Sequence, residues 1–124
     1  MKYTPLIVML CALAAPVSGA AVCTPDEDSR AFNRCRVCHA ESPERPSLAG
    51  PNLWNVVDRR AGARDDYRYS QAVIDSGLTW DAATLRQYLR DPSGVIPGNR
   101  MSAPPIRDEK LLDAIICHLS SLAE

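Results

Sequence analysis

The sequence predicts an all-α domain of short helices joined by long ordered loops. Three observations carry that expectation. Apolar residues recur at helical spacing from Trp80 to Leu89 and from Leu111 to Leu122, while no segment alternates as a strand would. The connections are rich in proline and glycine, with four prolines and two glycines between residues 92 and 107. Loops of that length stay ordered in a compact domain when they have something to wrap around. The chain has little of its own to offer them, with one Phe, two Trp and four Tyr in 124 residues.

The length suits one domain. Hydrophobic content of 46% and charged content of 23% are those of an ordinary globular protein. Residues 1–20, "MKYTPLIVMLCALAAPVSGA", read as a cleaved secretory signal, and 21–124 as the domain. Lys2 precedes an apolar run from Leu6 to Ala15, and the small residues Ser18 and Ala20 suit a cleavage site. The run is shorter than the roughly 20 residues a spanning helix needs. A periplasmic protein with no membrane span after signal removal is therefore expected. Losing Lys2 from the 14 basic residues leaves 13 against 15 acidic ones, a net charge of −2. Lys110 is then the only lysine. No block of like charge appears, so nothing points to nucleic acid.

The first helix is expected from Pro25 to about Arg34. Proline suits its entry, and the acids of "DED" suit its positive end. Residues 41–51, "ESPERPSLAGP", read as loop, and "NLWNVVDRR" as a partly apolar turn over something buried. Ser70 caps a short helix that Gly77 ends. Thr79 is expected to cap the next, "WDAATLRQYLRD", which Pro92 stops. Trp80, Thr84, Leu85, Tyr88 and Leu89 form its apolar stripe. Residues 92–107 read as too irregular for helix or strand. The last helix is expected from about Asp108 to Leu122, with Leu111, Leu112, Ile115, Ile116, Leu119 and Leu122 on one face.

The chemistry concentrates in "RCRVCHA", residues 34–40. A structural zinc site wants four ligands, usually in two pairs, and Cys23, Cys117 and His118 do not repeat the spacing. A redox dithiol expects a preceding strand and a βαβ frame. The third reading is covalent c-type haem attachment, Cys-x-x-Cys-His. Cys35 and Cys38 add across the two vinyl groups as thioethers, and His39, next in line, reaches the iron. Met101 lies in a Pro/Gly loop and is the only methionine beyond the signal. As a thioether it suits the sixth position, where it favours the ferrous state. His118 is the rival ligand, but packing or solvent contact is its expected fate.

With these residues in view, the chain resembles a bacterial class I cytochrome c, of the soluble c2 or mitochondrial-like branch. The likeness runs from about Asp28 to Leu122. It is carried by "FNRCRVCHA", "GPNLWNVVDRRAG", "YRYSQAV", "GLTWDAATLRQYLRDP" and "IPGNRM" in one order. The resemblance implies the cytochrome c fold around one covalent haem c held by Cys35 and Cys38. His39 would be the proximal ligand and Met101 the distal one. Pro51 matches the proline whose carbonyl orients the proximal imidazole. Arg59, Tyr69 and Trp80 match positions around the inner propionate, and Tyr88 a tyrosine near the methionine sulfur. It implies an electron carrier rather than an enzyme, a monomer that meets redox protein partners. The alternatives are the haem subunit of a periplasmic dehydrogenase, a small peroxidase or a gas sensor. The last two need an open distal site, which the loop bearing Met101 argues against.

The chain departs from the family pattern in four places. Glu27, Asp28 and Ser29 occupy the neighbourhood of a usual glycine, so a looser crossing with the last helix is expected. Ala103 stands where an aromatic often shields the haem. Asn99 replaces a common threonine, which alters hydrogen bonding near the sulfur. The lysine ring that guides docking is missing, so donor and acceptor do not carry over. In this fold the first and last helices pack together, which leaves Cys23 and Cys117 either bridged or as two buried thiols.

Overall fold

The computed structural model describes residues 21–123. The signal assigned to residues 1–20, with Cys11 and the first two methionines, lies outside them. Five helices appear among the described residues, and no strand: α1 (Pro25–Arg36), α2 (Gln71–Asp75), α3 (Ala82–Arg90), α4 (Pro92–Val95) and α5 (Glu109–Ser121).

Helix α1 begins as expected, with Pro25 in its first turn beside Asp26, Glu27 and Asp28. The Asp28 carboxylate accepts from the Thr24 amide at 2.8 Å, satisfying a donor left over at the helix start. The helix runs two residues beyond the expected end. The amides of Cys38 and His39 both bond to the Cys35 carbonyl, so the chain keeps turning through the motif.

Ser70 caps α2 through the Val73 amide, and Gly77 leaves it at a positive φ of 64°. Thr79 does not cap the next helix. Residues 78–80 run alongside residues 58–61 instead: the Trp80 amide bonds to the Arg59 carbonyl at 2.9 Å and the Ala61 amide to the Leu78 carbonyl at 2.8 Å. Asp81 takes the cap of α3, accepting from Thr84 at 2.7 Å. The segment after Pro92 also differs from expectation. Asp91 accepts from the Gly94 amide at 3.0 Å, and with Pro92 at the first position this suffices for the single turn of α4. Asp108 caps α5, accepting from Lys110 and Leu111.

Two apolar clusters form the core. In the larger, Phe32 of α1 meets Leu112 and Ile115 of α5, all three 0% exposed. Each such side chain contributes about 1.5–3 kcal/mol by burial. The smaller gathers Ala61, Val73, Tyr88 and Ile96. Trp80 and Met101 pack against both clusters. A disulfide joins Cys23 to Cys117, with Cα atoms 5.5 Å apart. It ties the chain just before α1 to α5, close to Glu27, Asp28 and Ser29.

Candidate functional site

Helix α1 brings Cys35 to its last turn, half-buried, and the turn that follows leaves Cys38 exposed. The two thiols are free. Burial pushes the Cys35 thiol up to about 11, against the pull of Arg34 and Arg36, so it is a thiol rather than a thiolate near neutrality.

His39 Nδ1 lies 2.6 Å from the Pro51 carbonyl oxygen. A carbonyl can only accept, so Nδ1 carries the proton and Nε2 keeps its lone pair. Burial pushes the imidazole below its ordinary value, opposed by the bond to Pro51; the neutral, ligating form is therefore favoured. Gly50 is required beside it, because a Cβ there would run into the His39 ring. The Gly50 amide bonds to the Cys38 carbonyl at 2.7 Å and the Leu53 amide to the Ala40 carbonyl at 2.8 Å. These two bonds register the Gly50–Leu53 loop on the motif.

Met101 is half-buried. Its loop is held by Asn99, whose Nδ2 donates to Pro92 O at 3.0 Å and Ile96 O at 2.8 Å, while its Oδ1 accepts from the Met101 amide at 2.9 Å. The Tyr88 hydroxyl donates to that same Oδ1 at 3.3 Å. Burial pushes the Tyr88 phenol up to about 12, so it keeps its proton. The Tyr88 ring lies 4.9 Å from that of Trp80.

Arg59 is half-buried and donates to the carbonyls of Trp54 and Asn52, each at 2.9 Å. It is not a solvated cation, and among the described residues no carboxylate pairs with it. Tyr69 packs edge-on against Tyr67, and burial raises its phenol against the pull of Arg59. A cavity of about 680 Å³ opens beside Tyr69, lined also by Gly62, Tyr67, Gly98 and Arg100. The side chains of Arg59, Tyr69 and Trp80 make no hydrogen bond to one another, and Arg59 and Trp80 are joined only through their backbones, whereas His39 is brought to Pro51, and Trp80 to Tyr88.

Sequence reasoning missed Asn52, which is 0% exposed. Its Nδ2 donates to Ser42 O at 2.9 Å and Arg45 O at 2.7 Å, and its Oδ1 accepts from the Trp54 amide at 2.8 Å. It pins the loop between His39 and Pro51. Its position directly after Pro51 was the only signal available. His118 is packed, as expected, its ring 4.6 Å from Phe32. The zinc reading fails: the one cluster of three candidate ligands among the described residues is Cys23, Asp28 and Cys117, and its two thiols are spent in the disulfide.

These residues fit a covalent haem. Two free thiols stand beside an imidazole whose Nε2 is available. A thioether in a pinned loop packs against both cores, and a half-buried guanidinium lacks an anion.

No family model matches the chain. It is similar to cytochrome c2 of Rhodomicrobium vannielii, 39% identical over 101 residues that cover 82% of this chain and 81% of the relative. It is similar also to cytochrome c2 iso-2 of Magnetospirillum fulvum, 40% identical over 92 residues, 74% of this chain and 95% of the relative. Among solved structures, cytochrome cH from Methylobacterium extorquens superposes with a TM-score of 0.73 at 40% identity, covering 78% of this chain and 97% of that one.

Proposed function

The chain belongs to the class I c-type cytochromes, electron carriers and not enzymes, and from that premise we propose that it is a periplasmic single-haem shuttle whose iron His39 and Met101 would hold. When bound, the haem iron supplies a one-electron change between ferrous and ferric states. Cys35 and Cys38 would hold it covalently. Pro51 fixes the His39 tautomer and raises the basicity of the ligating nitrogen. Asn99 and Tyr88 pin the Met101 loop, which keeps the sulfur in place and water out. Arg59, Tyr69 and Trp80 would face the inner propionate, and the positive charge of Arg59 would offset a carboxylate taken out of water. The exported setting is supported by the leader pattern and by the Cys23–Cys117 disulfide, a bond typical of oxidising compartments. No helix among the described residues is long and apolar enough to cross a membrane. Redox proteins are its partners, met as a monomer.

The observation that carries this reading is the 2.6 Å contact between His39 and Pro51, which aims a free imidazole nitrogen from the residue next to two free thiols. The test is an optical titration of the holoprotein and of Met101→Ala. The parent is expected to show the weak far-red ferric band of sulfur–iron bonding. Met101→Ala loses that band and its midpoint potential falls. An unchanged spectrum and potential in the variant sink the assignment.

A further inference from the structure

His118 has no part in the site above, yet it is 9% exposed. Its Nε2 lies 2.8 Å from Glu41 Oε2 and 3.5 Å from Arg36 Nη2. The other Glu41 oxygen accepts from Arg36 Nε at 2.6 Å. Arg36 reaches back along α1 to Ser29 O at 2.8 Å, to Ser29 Oγ at 3.0 Å and to Asn33 Oδ1. Its guanidinium carbon stands 5.4 Å from the Phe32 ring centroid.

This cluster joins three places remote in sequence. Arg36 is the last residue of α1 and sits between the two motif cysteines. Glu41 lies two residues after His39. His118 is on α5, next to Cys117, whose disulfide anchors that helix to the start of α1. The motif is already registered on either side of His39 by the Gly50–Cys38 and Leu53–Ala40 bonds. The cluster holds its two ends to each other and to α5. Half-buried ion pairs add little net stability, because desolvation offsets the attraction. Their charge-assisted, directional bonds do constrain geometry.

We propose that Arg36, Glu41 and His118 form a clamp that positions the Cys35–His39 segment, and with it the His39–Pro51 hydrogen bond, making His118 a positioning residue for the proximal imidazole. The proposal rests on the reading of His39 as iron ligand. Loosening the clamp weakens that hydrogen bond. The imidazole becomes a poorer donor, and the ferrous state is favoured.

The experiment is a spectroelectrochemical titration, at one pH, of the holoprotein and of His118→Leu, His118→Gln and Arg36→Lys. In His118→Leu the ferrous-to-ferric ratio at fixed applied potential is expected to rise by about threefold or more. His118→Gln, whose amide nitrogen can still reach Glu41, is expected to stay near the parent. Arg36→Lys keeps the charge but loses the fork, and is expected to shift as His118→Leu does. Equal shifts in the two His118 variants would mean that charge matters and position does not. Unchanged ratios with only a lowered Tm would mean packing alone. Either result overturns the clamp. Where His118→Leu yields no holoprotein, Arg36→Lys decides: a shift supports the clamp and none sinks it. The far-red band is read separately. Its presence alongside unmoved ratios removes the clamp and leaves the ligand assignment standing; its absence from the parent removes both.

Discussion

Asn99 makes four hydrogen bonds with one amide side chain, and three of them hold the loop that ends in Met101. Asn99→Ala leaves the Pro92 and Ile96 carbonyls and the Met101 amide without that partner. Each loss costs roughly 1 kcal/mol or more. The Met101 loop should therefore open more often and, with Met101 as the proposed sixth ligand, the rate at which added cyanide displaces it should rise on the order of tenfold in stopped-flow mixing. An unchanged rate would show that the loop is held by packing instead. Glu41 makes a pH prediction. Burial opposes ionisation, but the bonds from Arg36 and His118 outweigh it and hold the carboxyl below its ordinary 4.5. A depressed folded value means stability is fully present above 4.5 and is lost as pH falls through the folded value. Glu41→Gln should therefore show a shallower loss of Tm between neutral pH and the acid limb than the parent. The roles of these two residues differ in how far they could be read. Asn99 was legible as a departure beside the proposed ligand, because it lies two residues from Met101. The partners of Glu41 lie 5 and 77 residues away, and no local pattern announces the second.

At the scale of elements, the α1–α5 crossing carries the fold. The apolar face of α5 was written in sequence periodicity, and Leu112, Ile115, Ile116 and Leu119 are buried as that spacing requires. The disulfide closing the crossing spans 94 residues. In the chain-entropy view, a loop of that size stabilises by about 4–5 kcal/mol. Cys23→Ser with Cys117→Ser should lower the holoprotein's Tm by on the order of 20 °C in calorimetry, with the redox spectrum unmoved. A shift under a few degrees would place the stability of the crossing in its apolar contacts alone. The ends of α3 and α4 show where local reading stops. Thr79 and Asp81 are both favoured cap residues by type. Residues 78–80 pair with residues 58–61, and that distant partner withholds Thr79 from the helix. Pro92 was read as a stop, yet Asp91 before it and the Gly94 amide after it make a fresh start.

For the molecule as a whole, the charge pattern sets how partners are met. Arg86 of α3 pairs with Glu109 and Asp113 of α5, and Arg64 pairs with Asp66, so part of the positive charge is spent internally. With a formal net charge of −1 and Lys2 and Lys110 as the only lysines, long-range steering is weak. Second-order electron transfer with hexacyanoferrate should change by less than about tenfold as added salt shortens the Debye length from about 30 to 8 Å. A steep dependence would reveal a concentrated charged patch near the electron's entry point. The sequence by itself determined the all-α class, the Cys-x-x-Cys-His motif, the thioether in a proline-bounded loop and the apolar faces of α3 and α5. All of these depend on spacing within a few residues. Only the tertiary structure decided that Cys23 meets Cys117, that Asn52 is buried under the loop it pins, and that Glu41 is shared between Arg36 and His118. Each of those depends on which distant backbone arrives alongside, and helical periodicity leaves that choice open until the two cores close.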